Sequence, residues 1–230
     1  MKTIGLIGGT SWVSTIDYYK LINQLTNEQL GGVHAAKLIL YSLNFGEIKA
    51  LLDEDNWERI AEIYISVATV LKEAGAECIA LAANTPHMIA GKLQQAVDLP
   101  LIHIAQATAK AISETGIKKV ALLGTRFVME NTFYSEILSQ HGIETIVPGT
   151  PDRTYINNSI FSEMAKGVFT AETKATYLEL IDRLISKGAE GIVFACTEIP
   201  ILLKDTNVPV KTFDTTFIHA LAIVAFAMAH

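Results

Sequence analysis

The amino-acid sequence predicts an α/β protein whose parallel sheets are covered by helices on both faces. Two observations support this fold class. Short apolar runs of strand length alternate with longer segments in which apolar residues recur every three or four positions, as in amphipathic helices. The alternation also occurs twice along the chain, in two similar halves. Because strands that alternate with helices form parallel sheets, each half is expected to build one such sheet.

Eight segments have the length and apolar character of strands, and helical periodicity fills the intervals between them. The clearest helical segments are Ile16–Thr26, Glu58–Glu73 and Tyr177–Lys187. The predicted strands are Thr3–Ile7, Lys37–Tyr41, Cys78–Leu81, Leu101–His103, Lys119–Leu123, Glu144–Val147, Gly191–Phe194 and Pro209–Thr212.

An internal repeat connects the two halves of the chain. The segment KTIGLIGGT near the start resembles KKVALLGTR, which aligns Gly8 with Gly124. Downstream, GAECIALAANTPH resembles GAEGIVFACTEIP. Matched segments in the same order and at nearly constant spacing favour a duplication. The alternative is that part of the similarity is common to the starts of strands in any parallel-sheet fold. We expect two similar parallel-sheet α/β domains, residues 1–104 with 213–230 and residues 105–212.

Composition excludes several classes of function. The chain of 230 residues has a net charge of −6 and scattered lysines and arginines, so no basic surface for nucleic acid is expected. The most apolar segment, residues 220–229, is too short to span a bilayer, and the N-terminus lacks a signal-peptide pattern. Cys78 and Cys196 suit neither a disulfide framework nor a zinc motif. We therefore expect a cytoplasmic protein that binds no membrane and no metal.

Small and polar residues follow four of the predicted strands, at the ends where ligands bind in open α/β sheets. The first segment lacks the spacing of a dinucleotide fingerprint and the lysine of a P-loop. Its backbone N–H groups and the hydroxyls of Thr10 and Ser11 can hold a carboxylate, and Thr125 has the same place in the second half. Helix capping is the alternative explanation for these hydroxyls. The four segments are GGTSW (8–12), AANTPH (82–87), GTRFVMEN (124–131) and ACTEI (195–199).

Two matched strand ends of the repeat differ in one reactive group. The segment ACTEI carries Cys196 where AANTPH carries Ala83. A cysteine that opens a helix is expected to have a lowered pKa and a larger thiolate fraction. The local sequence alone favours a buried and inert cysteine, and the repeat shifts the interpretation of Cys196 toward a functional group. Cys78 lies inside its strand and is expected to pack in the core.

Five further residues near these ends have a structural and a functional interpretation. Asn84 or Thr85 can cap a helix that begins at the proline that follows them. His87, in the first turn of that helix, is more commonly a packed or solvated histidine than a base. His103 is expected to be a satisfied core histidine. Lys166 is either a cation at a helix end or a partner for a substrate carboxylate.

Four motifs, taken together, resemble one known family. They are IGLIGGTSWVST, NTPH, ALLGTRFVME and GIVFACTEIP. Over essentially its full length the chain is similar to the cofactor-independent aspartate/glutamate racemases. The resemblance implies two α/β domains related by a pseudo-twofold axis, a homodimer, and a small-molecule amino acid as substrate. It also implies that neither pyridoxal phosphate nor another cofactor takes part.

The resemblance further implies a two-base reaction. Family members place one cysteine before NT and another before TE, on opposite faces of the substrate α-carbon, so that one removes a proton and the other returns one. Cys196 matches the second cysteine, but Ala83 stands at the first, and a methyl group cannot exchange a proton. The resemblance assigns substrate binding or pocket lining to Thr10, Ser11, Asn84, Thr85, Thr125, Lys166, Thr197 and Glu198.

Three explanations of Ala83 stay open. The Ala82–Ala83 pair results from an engineered Cys→Ala change, or is natural with His87 or a water in the missing role, or marks a changed reaction. Arylmalonate decarboxylases, which are related, use a single cysteine at the position of Cys196 because decarboxylation needs one proton donor. Leu52 lies where relatives that act on acidic amino acids carry Arg or Gln, so the amino acid stays undefined. We expect weak racemisation, with a single-cysteine lyase or an amino-acid-binding homologue as alternatives.

Overall fold

The computed structural model describes residues 1–229 and contains two separate four-stranded parallel sheets. Each of the eight predicted strands is present, with ends within two residues of those predicted. The sequence therefore located all the strands that build the sheets. They are β1 (Ile4–Gly8), β2 (Leu38–Ser42), β3 (Cys78–Leu81), β4 (Leu101–Ile102), β5 (Lys119–Gly124), β6 (Glu144–Ile146), β7 (Gly191–Ala195) and β8 (Lys211–Asp214).

Helices follow or precede every strand, as the periodicity predicts. Two short 3-10 helices, Thr85–Ile89 and Met164–Lys166, accompany the α-helices. The α-helices are α1 (Trp12–Leu30), α2 (Phe45–Asp53), α3 (Trp57–Glu73), α4 (Ala90–Ala96), α5 (Ile104–Ser113), α6 (Arg126–Glu130), α7 (Thr132–Gln140), α8 (Thr150–Ser162), α9 (Ala171–Ser186), α10 (Ile199–Leu202) and α11 (Thr215–Met228).

The chain divides into two compact units. The first unit comprises Met1–His103 and the residues from His219 onward, and the second comprises Ile104–Ile218. The sheet of the first unit has the order β2-β1-β3-β4, and that of the second has the order β6-β5-β7-β8. All strand pairs are parallel. Both halves of the chain thus build the same arrangement of strands, which agrees with the predicted fold class.

The core of the first unit joins β1 and β3 to two helices. Ile4 and Leu6 of β1 pack in one cluster with Tyr18 of α1 and Ile223 of α11. The last helix therefore buries its apolar face against the sheet that the start of the chain forms. Cys78 lies inside this cluster, and burial raises the pKa of its thiol to about 11. Its predicted role as a packed core residue is confirmed.

The second unit has a core on each face of its sheet. Side chains alternate between the faces along a strand, so neighbouring residues enter different clusters. One face packs against α8 and α9, and the other packs against α5 and α7. Strand residues of the first cluster are Ala121, Leu123, Ile192 and Phe194, and those of the second are Val120, Leu122, Val193, Ala195 and Phe213.

Within residues 1–229, no helix has both the length and the apolar character that crossing a membrane requires.

Candidate active site

The loop between β1 and α1 is held in a single conformation by its glycine and by side-chain hydrogen bonds. Gly9 has a φ of +85°, and a Cβ at this position would lie 2.1 Å from the Leu43 carbonyl oxygen. Only glycine can occupy such a place. The Gly9 N–H donates to the Thr15 hydroxyl at 2.8 Å, and that hydroxyl donates to the Ser11 carbonyl at 2.8 Å. The loop therefore presents its polar residues from a fixed backbone.

Thr10 and Ser11 differ in what their hydroxyls do. Ser11 caps α1, because its hydroxyl accepts from the Ser14 N–H at 3.4 Å. The capping interpretation thus applies to Ser11. Thr10 lies 2.7 Å from the hydroxyl of Tyr64, a fully buried residue of α3. Burial raises the pKa of Tyr64 well above its ordinary value, so the phenol stays protonated and can donate to Thr10.

Ser14 connects this loop to the end of β3. Its buried hydroxyl lies 3.0 Å from the Ser11 carbonyl and 3.1 Å from the Ala82 carbonyl, both of which accept. One side chain thereby fixes two strand ends of the first unit beside each other. Nothing in the local sequence pattern indicated the contact between Ser14 and Ala82.

The end of β3 carries Ala83, Asn84 and Thr85. Ala83 is partly exposed, whereas Asn84 and Thr85 are buried. The predicted cap is wrong for Asn84: it precedes the 3-10 helix Thr85–Ile89 and makes no side-chain capping bond to it. The imidazole of His87 donates from Nδ1 to the Ala83 carbonyl at 2.9 Å, since a carbonyl can only accept. His87 is therefore a packed residue that holds the backbone of this strand end.

Three histidines lie together behind the end of β3. The ring of His87 lies 4.7 Å from that of His103 and 5.5 Å from that of His219, measured between centroids. His219 Nε2 donates to the Ile102 carbonyl at 2.7 Å, and its Nδ1 accepts from the Tyr18 hydroxyl at 2.8 Å. No pattern in the sequence pointed to His219, which lies in an almost entirely apolar helix.

Burial keeps these histidines neutral. It lowers the pKa of His103 to about 4 and that of His219 to about 4. Burial also lowers the pKa of His87 well below its ordinary value, and the neighbouring histidines add to this effect. The end of β3 is consequently supported by uncharged imidazoles.

The end of β7 carries Cys196, Thr197 and Glu198, which form one hydrogen-bonded group. The Cys196 thiol donates to Glu198 Oε2 at 3.0 Å, and the Thr197 hydroxyl donates to the same oxygen at 2.7 Å. All three side chains are buried. The other carboxylate oxygen of Glu198, Oε1, is buried and makes no hydrogen bond to any residue of the described chain. This arrangement leaves one oxygen available to a polar group of a ligand.

The predicted electrostatics of Cys196 are wrong. We expected a helix N-terminus to lower the pKa of this thiol, but burial and then the negative charge of Glu198 raise it well above the ordinary value. The helix itself is short and begins only at Ile199. The raised pKa keeps the Cys196 thiol protonated, and Glu198 Oε2 accepts its hydrogen bond.

The end of β5 lies beside that of β7 in the second unit. A Cβ at Gly124 would lie 2.7 Å from the Ala195 carbonyl oxygen, which shows how closely the two strand ends approach. Thr125 follows Gly124, is buried, and makes no side-chain cap to α6. Lys166 is exposed at the end of the 3-10 helix Met164–Lys166, which follows α8 and not a strand. The structure thus gathers Thr125, Cys196 and their neighbours at strand ends, and leaves Lys166 outside this set.

Two further observations concern specificity and metals. Leu52, which the sequence singled out, is buried in α2. Among residues 1–229, no group of three or more histidine, cysteine, aspartate or glutamate side chains is arranged to hold a metal ion.

A comparison with protein families gives these strand ends a context. A model of the Asp/Glu/Hydantoin racemase family matches residues 7–223, nearly the whole chain. The chain belongs to the Asp/Glu/Hydantoin racemase family. Membership supports amino-acid racemase activity, which is an isomerase reaction on a small-molecule amino acid.

Individual members of the Asp/Glu/Hydantoin racemase family agree with this assignment. The chain is 26% identical to the broad specificity amino-acid racemase RacX of Bacillus subtilis, over 75% of this chain and 74% of that protein. A crystal structure of a candidate Asp/Glu racemase from Yersinia pestis is 45% identical, with a TM-score of 0.92 and full coverage of both chains. An aspartate racemase homologue from Pyrococcus horikoshii OT3 is 36% identical, with a TM-score of 0.85 and full coverage of both. The two parallel sheets thus match the two-domain fold of this family.

Proposed function

We propose that this protein is an amino-acid racemase that needs no pyridoxal phosphate, with Cys196 as one acid/base group and the Ala83 position as the other, which is unfilled. The observation that carries the proposal is the group at the end of β7, where the Cys196 thiol donates to the buried carboxylate of Glu198. A thiol paired with a carboxylate can both release and recover a proton, which is what racemisation requires of each base.

The proton moves through the Cys196–Glu198 pair in two steps. First, the thiol proton passes along the 3.0 Å hydrogen bond to Glu198 Oε2, which leaves a thiolate and a neutral carboxylic acid. The thiolate then removes the α-proton: the C–H bond breaks, an S–H bond forms, and the electron pair passes to the α-carbon and its carboxylate. Thr197 also donates to Oε2 and keeps this oxygen in place for the transfer.

The remaining polar residues are assigned to holding the substrate. Asn84 and Thr85 bind the α-carboxylate and stabilise the charge that develops on it, while the single hydroxyl proton of Thr197 is donated to Glu198 Oε2. The buried Oε1 of Glu198, which has no hydrogen bond within the described residues, suits the α-ammonium group. The other assigned pocket residues are Thr10, Ser11, Thr125 and Lys166.

Ala83 limits the reaction as the sequence stands. Inversion needs a proton delivered to the face opposite the one from which it was removed, and the methyl group of Ala83 has none to give. We therefore propose that the protein inverts amino acids weakly while Cys196 still removes an α-proton. If the Cys196 thiol exchanges its proton with solvent and then protonates the same face of the α-carbon, the α-proton is replaced and the configuration is unchanged.

The test measures α-proton exchange and inversion separately, with L- and D-amino acids in D₂O. Proton NMR reports exchange, and chiral chromatography reports inversion. Ala83→Cys is expected to raise the inversion rate about 10²-fold or more, the usual contribution of one general acid/base. Ala82→Cys is the matched control, because the Ala82 side chain is buried in the core cluster of the first unit. Inversion that is unchanged in Ala83→Cys, or equally raised in Ala82→Cys, refutes the two-thiol account.

A second candidate function follows from the presence of Cys196 and the absence of a thiol at Ala83. Cys196 without a partner thiol at Ala83 is sufficient for a lyase that decarboxylates a disubstituted malonate, since protonation of one face completes that reaction. Release of CO₂ from such a malonate, without exchange of any amino acid, would favour the lyase. Thermal stabilisation by amino acids without turnover, even in Ala83→Cys, would favour a binding protein.

A further inference from the structure

Tyr64 is a buried tyrosine whose hydroxyl reaches the loop that follows β1. It lies on α3, which packs against β1, and its side chain is fully buried. Its hydroxyl lies 2.7 Å from that of Thr10, which is partly exposed in the loop between β1 and α1. Within residues 1–229, this is the single hydrogen bond that either hydroxyl makes. A buried phenol thus contacts one of the polar groups at the end of β1.

The burial of Tyr64 determines which of the two hydroxyls donates. A buried hydroxyl proton without an acceptor has lost its hydration and destabilises the folded chain, so such protons are almost always bonded. Among the described residues, Thr10 Oγ1 is the acceptor that the Tyr64 proton has. If Thr10 donated instead, the phenol proton would be buried and unbonded, whereas the proton of the partly exposed Thr10 is not enclosed. The phenol therefore donates and Thr10 accepts.

This direction leaves the proton of Thr10 for a ligand. A hydroxyl has one proton and two lone pairs, and the phenol proton occupies one lone pair of Thr10, so the proton of Thr10 points away from Tyr64. Gly9 fixes the backbone next to Thr10, and the loop lies at the carboxyl end of β1, where ligands bind in parallel sheets. A carboxylate oxygen, which only accepts hydrogen bonds, suits such a donor.

Another buried tyrosine shows the same pairing in a purely structural setting. Tyr134 of α7 is fully buried and donates to the Thr108 hydroxyl at 3.1 Å. Thr108 is fully buried as well, and its own proton is donated to the Ile104 carbonyl at 2.8 Å. These hydrogen bonds therefore end on the backbone inside the second unit. Thr10 accepts from the same kind of donor, but within residues 1–229 its proton has no acceptor.

The repeat gives Tyr64 a counterpart in the second half of the chain. Tyr64 and Tyr177 each precede a GAE segment by eleven residues. Tyr177 is also fully buried, and its hydroxyl lies 3.0 Å from that of Ser159, which donates to the Ile156 carbonyl at 2.9 Å. Each half thus has a buried tyrosine bonded to a hydroxyl. The partner in the second half lies in α8, whereas the partner in the first half lies at the end of a strand.

We propose that Tyr64 is a positioning residue that turns the Thr10 hydroxyl toward a carboxylate oxygen of the bound amino acid. The identity of this ligand rests on the proposed function. Tyr64 is fully buried and acts through Thr10. By donating to Thr10 it prevents the orientation in which a lone pair of Thr10 faces the carboxylate and repels it. The donor is therefore ordered before the ligand binds, which lowers the entropic cost of binding.

The test begins with calorimetric titration of the full chain by each of the standard L-amino acids. In Tyr64→Phe the Thr10 hydroxyl turns freely, so the dissociation constant of the tightest-bound amino acid should rise about three- to tenfold. Tyr134→Phe is the matched control, because it removes the same atom from a buried tyrosine–threonine pair. It should lower stability toward urea about as much as Tyr64→Phe does and leave the dissociation constant unchanged. Thr10→Ser keeps the hydroxyl and should keep the affinity.

A double-mutant cycle shows whether Tyr64 acts through Thr10. Thr10→Val should weaken binding about tenfold or more, because a hydrogen bond to a charged acceptor is lost. Adding Tyr64→Phe to Thr10→Val should then weaken binding no further. Stability toward urea should rise on that addition, because Thr10→Val alone leaves the buried phenol proton without an acceptor. A general loosening of the fold by Tyr64→Phe would weaken binding in both backgrounds.

Turnover separates this proposal from the proposed racemase. In the Ala83→Cys enzyme, Tyr64→Phe should raise KM about three- to tenfold and leave kcat nearly unchanged, because Thr10 binds ground state and transition state alike. Affinity that Tyr64→Phe does not change, or that Tyr134→Phe lowers equally, overturns the role of Tyr64 and leaves the racemase intact. Amino acids that bind without any α-proton exchange overturn the racemase alone. A chain that neither binds amino acids nor exchanges their α-protons overturns both.

Discussion

The end of β3 and the end of β7 hold matched places in the repeat but contain opposite kinds of chemistry. At the end of β3 the backbone receives the hydrogen bonds: Ser14 donates to the Ala82 carbonyl, and His87 donates to the Ala83 carbonyl. At the end of β7 the side chains bond to one another, and Cys196 donates to Glu198. The first arrangement supports a strand end, and the second pairs a thiol with a carboxylate.

The two ends also differ in charge. Uncharged histidines lie behind β3, because burial lowers their pKa values, whereas a carboxylate is buried beside Cys196 at β7. Two strand ends that match in the repeat therefore have corresponding places in their sheets while their side chains differ. One end has support for its backbone and no thiol, and the other has a thiol paired with a carboxylate.

The largest effect of a substitution is expected at the end of β7. In the Ala83→Cys background, Cys196→Ser should lower the inversion rate about 10²- to 10⁴-fold, because the serine hydroxyl is too weak an acid to replace the thiol. Chiral chromatography measures the change. Cys78→Ala is the matched control, since Cys78 is buried inside β3, and it should keep its activity. Equal losses in both variants would assign the effect to folding.

The next effect is structural and concerns the histidines behind β3. His219→Phe removes the hydrogen bonds to the Ile102 carbonyl and from the Tyr18 hydroxyl. Each such buried bond costs about 1–3 kcal/mol when broken, so the free energy of unfolding should fall by about 2–6 kcal/mol. Urea denaturation measures it. Leu221→Ala on the solvent side of the same helix is the control and should cost well under 1 kcal/mol.

The same variant changes how stability depends on pH. Burial holds the pKa of His219 at about 4 in the folded chain, below the roughly 6.5 expected when the chain is unfolded. The unfolded chain therefore binds the proton first, and this contribution to stability is present above pH 6.5 and is lost as the pH falls toward 4. Between about pH 4 and pH 6.5, the free energy of unfolding of His219→Phe should therefore change with pH less steeply than that of the wild type. The expected difference in slope is about 1 kcal/mol per pH unit. Identical slopes would contradict a neutral, buried His219.

The smallest of these effects concerns the thiol of Cys196. Glu198→Gln removes the negative charge that, after burial, raises the pKa of this thiol. The pKa should fall, and alkylation by iodoacetamide at pH 8 should become roughly three- to tenfold faster. Inversion by the Ala83→Cys enzyme should become slower, because the proton acceptor is lost.

Faster alkylation together with slower inversion would show that Glu198 acts on the Cys196 thiol. A general loosening of the fold would not explain that combination. Thr197→Val is the matched variant, since it removes a hydroxyl bonded to Glu198 Oε2 without changing any charge. Its alkylation rate should stay close to that of the wild type. Alkylation that is slower in Glu198→Gln would contradict the electrostatic account of Cys196.

Much of the fold could be predicted because most strands are short apolar runs and helices such as α3 and α9 carry their own periodicity. The repeat also located Cys196, Thr197 and Asn84 at strand ends. Distant contacts left no comparable signal. In the sequence Tyr64 is one more apolar position of α3, although its hydroxyl forms a hydrogen bond with Thr10. His219 is an isolated polar residue of an apolar helix, although it donates to the Ile102 carbonyl. Those partners are 54 and 117 residues away in the chain.

The two α/β halves, their strands and the difference between Ala83 and Cys196 could be recognised in the sequence, because periodicity and repetition are local properties of a chain. Tertiary structure alone decided the ionisation of the groups at those places. The Cys196 thiol has a raised pKa, and not the lowered one that its position suggested, because burial and a carboxylate 3.0 Å away outweigh the end of a short helix. Desolvation and the proximity of charges depend on the folded environment, which no short stretch of sequence specifies.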